Sequence, residues 1–267
     1  MAEGNNLSEK APDGANVATL QKSVALREQP MTVIQMMENY NKVERAKSGI
    51  SGFDDIVAGG LPRGSLVLLS GMCGTGKTTF SMQFLYHGAK NGEPGVFISL
   101  EEQPETLIRN AGLLGLDFYD LIRKKSFAVK FFELYDFEKF KANLEEIVDE
   151  MKAQRVVIES SSILGLFFED KYKFRKSLLE LGKSLRERNI TTLIISEIQE
   201  GSDGLSTFGV EEFAADGVIN MNYVKVGNVF MRSLSIRKMR DTIHSMKIHP
   251  IQMTSHGVYV YPTEEIF

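Results

Sequence analysis

The 267-residue chain has no tryptophan and a single cysteine, Cys73. One cysteine cannot close an intramolecular disulfide, so a secreted disulfide framework is excluded and a reducing cytoplasm is the expected home. The N-terminal stretch lacks the apolar h-region of a signal peptide. No run approaches the ~18 apolar residues of a membrane-spanning helix; Leu66 to Leu69 and Leu164 to Phe168 are of strand or loop length. Positive charge is not in excess either. With 31 Lys+Arg against 35 Asp+Glu, the net charge is -4, so no bulk field holds a nucleic acid, and only a local basic loop remains for that purpose. The histidines, His87, His244, His249 and His256, are scattered without metal-ligand spacing, and no structural zinc is expected.

Against these absences stands a hydrophobic content of 43%, enough for one large α/β domain. Residues 1-28 are rich in Gly, Ala, Asn, Ser and charge, and read as a flexible tail. Residues 29-48 read as a short docking helix or linker, with Met31, Ile34, Met37 and Tyr40 at helical spacing. Residues 49-267 are even in composition, without repeats, and read as one domain.

Within it, Leu66 to Ser70, Gly95 to Leu100, Phe127 to Phe132, Arg155 to Glu159 and Thr191 to Glu197 predict strands, most of them apolar on both faces. Helical patterns separate them. Phe137, Phe140, Leu144, Ile147, Val148 and Met151 share one face behind a capping Asp136, and Phe174, Leu178, Leu181 and Leu185 mark another helix. Doubly buried strands alternating with helices imply a mainly parallel sheet. Toward the C-terminus, Gly217 to Val224, Val229 to Lys238, Met246 to Met253 and Val258 to Tyr261 predict antiparallel hairpins, with turns at Gly227-Asn228 and Ser255-His256-Gly257.

The segment Gly71-Met72-Cys73-Gly74-Thr75-Gly76-Lys77-Thr78 matches G-x-x-x-x-G-K-[ST], after a predicted strand and before an apolar helix through Phe80, Phe84 and Leu85. Its glycines let successive N–H groups turn toward phosphate oxygens, and the helix N-terminus adds its positive end. Gly71, Cys73, Gly74, Thr75, Gly76, Lys77, Thr78 and Thr79 are therefore the candidate nucleotide contacts. Lys77 serves the β- and γ-phosphates, and Thr78 is placed to ligate Mg²⁺. Cys73 reads as a small filler or as a redox-sensitive thiol within the loop.

The flanking sequence resembles the KaiC-like ATPases of the RecA superfamily, from about Gly49 to the C-terminus. The resemblance rests on Gly49-Ile50-Ser51-Gly52-Phe53-Asp54-Asp55-Ile56, on Gly59-Gly60-Leu61-Pro62-Arg63-Gly64-Ser65, and on Phe84-Leu85-Tyr86. It continues through Gly95-Val96-Phe97-Ile98-Ser99-Leu100-Glu101-Glu102 with Pro104, and Thr207-Phe208-Gly209-Val210-Glu211-Glu212-Phe213. It implies a RecA-like P-loop core with C-terminal antiparallel hairpins, and a cytoplasmic, Mg²⁺-dependent ATPase. It also implies that Glu101, supported by Glu102, orients or deprotonates the attacking water. A polar strand end capping the next helix is the alternative for that pair.

Glu159 stands where this family usually carries Asp, and the resemblance assigns it to Mg²⁺. One extra methylene moves that carboxylate, so weak turnover with retained nucleotide binding is expected. Ser196 and Glu197 fall in the family's sensor region or form a solvated strand end. Lys238-Met239-Arg240 resembles the K-x-R element that reaches the γ-phosphate held by the neighbouring subunit; a bare basic edge strand is the alternative. With the resemblance, the chain is expected to form a hexamer around nucleotide, with a further protein partner left open. Glu212 and Phe213 fall where some members carry phosphorylated hydroxyls, so no self-kinase activity is expected there, with Ser206 and Thr207 the nearby hydroxyls.

Two other functions fit the same motifs. RadA-like recombination ATPases bind single-stranded DNA through loops corresponding to residues 161–174 and 200–213. The first loop carries Phe167, Phe168, Lys171, Tyr172 and Lys173 in an aromatic and basic mixture, while the second carries Glu200, Asp203, Glu211 and Glu212 with no Lys or Arg. The other is a non-catalytic switch in which ATP binding sets assembly alone, as in the related archaellum motor component.

Overall fold

Successive residues of a strand point to opposite faces, and the strand entering the phosphate loop is apolar on both. In a computed structural model describing residues 43–264, apart from 134, and residue 266, Val67 and Leu69 enter one hydrophobic cluster and Leu66 and Leu68 the other. The elements in chain order are β1 (Arg45–Ala46), α1 (Phe53–Ile56), β2 (Leu61–Pro62), β3 (Leu66–Gly71), α2 (Lys77–Lys90), β4 (Gly95–Ser99), α3 (Pro104–Gly112), α4 (Tyr119–Arg123) and β5 (Phe127–Phe131). They continue with α5 (Phe137–Met151), β6 (Arg155–Glu159), α6 (Ser161–Gly165), α7 (Lys171–Glu187), β7 (Thr191–Glu197), α8 (Glu211–Ala214), β8 (Gly217–Val226), β9 (Val229–Met239), β10 (His249–Thr254) and β11 (Gly257–Val260). The tail and nearly all of the expected docking helix lie outside the described residues.

The main sheet has 9 strands in the order β11-β10-β9-β8-β3-β7-β6-β4-β5. From β8 to β5 all neighbours are parallel, and from β8 outward to β11 all are antiparallel. The α/β class, the mainly parallel sheet flanked by helices and the C-terminal antiparallel hairpins are as the sequence predicts. Helices α2, α3 and α4 contribute to one cluster, and α5 and α7 to the other. Asp136 accepts from Lys139 N at 2.8 Å and starts α5, whose Phe140, Leu144 and Val148 are buried. Truncating Leu144 to alanine in such a core costs ~2–5 kcal/mol. No helix among the described residues is long and apolar enough to cross a membrane.

The predicted strand from Met246 begins only at His249. Residues just before it spend their hydrogen bonds elsewhere: Lys247 N donates to Ser245 Oγ at 3.2 Å, and Ile248 O accepts from Ile266 N at 3.0 Å. The β10–β11 hairpin is pinned to the helix that follows the phosphate loop. Gln83 of α2 donates to His256 O at 3.2 Å and accepts from Val258 N at 2.6 Å. Thus the β10–β11 hairpin is joined by side-chain hydrogen bonds to the helix that the phosphate loop enters.

Candidate functional site

The phosphate loop runs from the end of β3 to the first turn of α2, and its backbone demands glycine. Gly76 has φ +104°, and a Cβ on Gly71 would lie 2.1 Å from Met221 O. No side chain caps the N-terminus of α2, leaving its first N–H groups directed into the loop. Thr75 is buried and donates to Met72 O at 2.8 Å. The loop's outer side is clamped by the β8–β9 ribbon, where Tyr223 Oη and Arg232 Nε donate to Gly74 O at 2.8 and 3.1 Å.

Lys77 is buried, and its Nζ donates to Gly71 O at 2.9 Å and Met72 O at 3.1 Å. Burial lowers its pKa, opposed by the charges of Glu197, Glu159, Cys73 and Glu101. Cys73 is exposed and borders a cavity of about 480 Å³, with Met72, Ile198, Tyr223 and Phe230 among the walls. Thr78, Thr79 and Glu102 border a smaller cavity of about 120 Å³ between α2 and α3.

At the end of β6, Glu159 meets Thr78. The Thr78 hydroxyl donates to Oε1 at 2.6 Å, while Oε2 is buried without a hydrogen-bond partner. Burial pushes the Glu159 carboxyl up to about 7, the Thr78 hydrogen bond opposes this, and the charges of Glu101, Glu102 and Glu197 add to it. Divalent magnesium requires hard oxygen ligands, and an orphaned carboxylate oxygen beside a hydroxyl at the phosphate loop is such a set. The residues present therefore fit the ion.

Glu101 and Glu102 follow β4, which pairs with β6 so that Ser99 lies opposite Glu159. Ser99 Oγ accepts from Glu102 N at 2.9 Å and Glu101 N at 3.4 Å, and Ser160 Oγ donates to Glu101 Oε1 at 2.5 Å. Glu101 is itself exposed, held by its rim contacts. Hence Lys77, Thr78, Glu101 and Glu159 gather at the carboxyl ends of parallel strands, where α/β sheets bind ligands.

Lys238 and Arg240 lie elsewhere. Lys238 pairs with Val218, which pairs with Leu68, so it sits about 10 Å behind Gly71 along the strand direction. Its Nζ donates to Ala215 O at 2.6 Å and Glu212 O at 3.1 Å, and burial followed by the Arg240 charge lowers its pKa. Arg240, just beyond β9, donates to Asp216 Oδ1 at 3.0 Å. Both cations lean on residues 212–216, as their alternation predicts, and their hydrogen bonds go there rather than to their own phosphate loop.

Several residues escaped sequence reasoning. Glu211 reads as a loop charge but is 1% exposed, and it accepts from Ser196 Oγ, Val210 N and Phe208 N at 3.3, 3.1 and 3.4 Å. Ser196 is consequently buried, not a solvated strand end. The successive hydroxyls of Ser160, Ser161 and Ser162 each reach a different partner: Glu101, Glu211 and Thr207. Their only signal is a run of serines directly after an apolar strand. The expected 161–174 loop is mostly helical, made of α6, a link over residues 166–170 and the start of α7; in it Phe168 packs on Phe137 and Phe174, while Phe167 and Tyr172 are exposed. The aromatic mixture is therefore split between core and surface.

Comparison with known proteins agrees with this geometry. A family model described as ATPase: KaiC matches residues 46–265. A UPF0273 protein of Pyrococcus horikoshii is 36% identical over 235 residues, covering 82% of this chain and 94% of the relative. The circadian clock oscillator protein KaiC of Nostoc is 35% identical over 237 residues, covering 83% of this chain but 45% of the clock protein. The chain thus spans less than half the length of the clock protein. Among solved structures, a KaiC-like protein of Pyrococcus horikoshii superposes with a TM-score of 0.76 at 41% identity, covering 82% of this chain and 100% of that one. Motif, sheet order and relatives converge, and the chain belongs to the KaiC-type ATPase family.

Proposed function

We propose that this protein binds Mg·ATP and hydrolyses it slowly to ADP and phosphate at interfaces between copies of itself in a hexameric ring, in a regulatory role. The observation that carries this reading is a division of labour. Lys77, Thr78, Glu101 and Glu159 meet at one end of the sheet, while Lys238 stands about 10 Å and Arg240 about 17 Å behind it along the strands. A second copy is needed to bring the two sets together.

In this mechanism the loop N–H groups and Lys77 hold the phosphates, and Lys77 exchanges its carbonyl partners for phosphate oxygens. Thr78 and Glu159 would hold Mg²⁺, which would supply charge neutralisation at the β- and γ-phosphates. Glu101, oriented by Ser160 and by the Ser99 anchor of its backbone, takes a proton from water as the water oxygen attacks the γ-phosphorus. The oxygen bridging to the β-phosphate leaves with ADP. Arg240 and Lys238 of the adjoining copy stabilise charge on the transferring group. Turnover is slow because Glu159 is one methylene longer than the usual Asp.

The test pairs sedimentation with phosphate release for the wild type and Arg240→Ala, in saturating Mg·ATP. The wild type is expected to assemble and release phosphate; Arg240→Ala is expected to bind ATP within about threefold of wild type and lose at least about tenfold in rate. Unchanged phosphate release by Arg240→Ala contradicts the shared site.

A further inference from the structure

We infer that Asp216 is the positioning residue that presents Arg240 to the neighbouring subunit's nucleotide, an inference that rests on the shared-site reading above. Asp216 is 7% exposed and lies on the segment entering β8. It binds Arg240 twice: its carbonyl accepts from Arg240 N and its Oδ1 from Arg240 Nη1, each at 3.0 Å. It is also bound twice to the start of the strand carrying the phosphate loop. Asp216 N donates to Leu66 O at 2.7 Å, and Leu66 N donates to Asp216 Oδ2 at 3.0 Å. A second cation, Arg186, donates to the same Oδ2. The carboxylate is therefore fully engaged and fixed to the sheet.

Arg240 is the exposed partner, with a side chain 57% exposed on the edge of a cleft of about 330 Å³. An exposed arginine samples many rotamers, and holding one geometry costs it entropy. Here one nitrogen is tethered to a buried anion while Nε and Nη2 make no hydrogen bond among the described residues. That is the form a presented guanidinium needs: charge kept, direction set, and donors left for a second oxyanion. A carboxylate that simply neutralised Arg240 would take it in a two-pronged pair, whereas Asp216 spends its other oxygen on Leu66 and Arg186. The same aspartate thus couples the strand leading to one phosphate site to the cation serving the next.

The experiment measures steady-state phosphate release by Asp216→Asn, Arg240→Ala and Arg240→Lys, then by equal mixtures of Asp216→Asn with Glu101→Gln. Asp216→Asn is expected to lose at least about tenfold in kcat with KM for ATP within about threefold. Mixing is expected to raise activity above the sum of the two variants alone, because the intact loop and Glu101 of one chain then receive a correctly held Arg240 from the other. A merely structural role for Asp216 gives no such rescue, and its absence overturns the inference. Should Asp216→Asn fail to fold, Arg240→Lys decides: a lysine cannot hold Asp216 with one nitrogen and offer others, so wild-type kcat in that variant overturns it. If Arg240→Ala loses its rate but folded Asp216→Asn does not, this inference alone fails; if Arg240→Ala keeps its rate, the shared-site reading fails with it.

Discussion

Thr78 and Glu159, 81 positions apart in sequence, are joined by a 2.6 Å hydrogen bond, and the second oxygen of that carboxylate is buried without a partner. The hydroxyl begins the helix after the phosphate loop, and the carboxylate ends a strand two places across the sheet. Neither residue defines a metal position alone. Together they form the carboxylate-hydroxyl pair to which the proposed mechanism assigns the metal ion.

Shortening Glu159 by one methylene is therefore predicted to accelerate the reaction. Glu159→Asp shortens the reach of the carboxylate that would hold Mg²⁺ with Thr78 to the length usual at this position. The expected outcome is a severalfold rise in kcat for Mg·ATP with little change in ATP affinity, measured by phosphate release and nucleotide titration. An unchanged or lower kcat means that the longer side chain does not limit turnover.

Much of this was legible in the sequence because it is local. Leu66 to Thr78 combine an unbroken apolar strand, a glycine loop and a helix start within 13 consecutive residues, and each part restricts the others. The hairpin turn at Gly227-Asn228 was equally visible, since Gly227 adopts φ +59° between paired Val226 and Val229. What escaped depends on tertiary contacts. Glu211 has the composition of a surface loop, and its burial arises because hydroxyls and N–H groups from distant segments converge on it. The start of β10 differs for a similar reason: Lys247 N bonds to Ser245 Oγ and Ile248 O accepts from Ile266 N rather than either joining β9. The tether of Arg240 to Asp216 spans 24 positions and carries no local pattern.

A second prediction concerns acid stability. Arg155, 1% exposed, donates through Nε to Glu93 at 2.7 Å, and Arg63 donates to the same carboxylate at 2.5 Å. Burial raises the Glu93 pKa, but hydrogen bonds and charge from Arg63 and Arg155 outweigh it and hold the carboxyl below its usual value. A lowered folded-state pKa contributes stability above the unfolded pKa, and that stability is lost as pH falls through the folded value. Glu93→Gln leaves Arg155 buried without its counter-ion and is expected to cost ~3 kcal/mol near pH 7. Thermal unfolding from pH 7 to pH 3 is expected to show a smaller acid-dependent loss in the variant than in the wild type; parallel curves would show that Glu93 does not contribute.

Self-phosphorylation is predicted to be absent at the 206–213 segment. Ser206 is buried and its hydroxyl donates to Glu212 at 2.5 Å, while Thr207 Oγ1 donates to Glu197 O at 2.8 Å. Phosphopeptide mapping after prolonged incubation with Mg·ATP is expected to find no stoichiometric label on either residue. Label at one site per chain would reverse this conclusion.

The central claim is that Glu101 serves hydrolysis of ATP in the absence of nucleic acid, and steady-state phosphate release by wild type and Glu101→Gln, with and without single-stranded DNA, tests it most directly. The account predicts a slow DNA-independent rate that falls about 100-fold or more in Glu101→Gln while ATP binding persists. Strong stimulation by DNA would support a recombination ATPase instead. A wild-type rate equal to that of Glu101→Gln, despite tight ATP binding, would contradict catalysis and leave an ATP-dependent assembly switch.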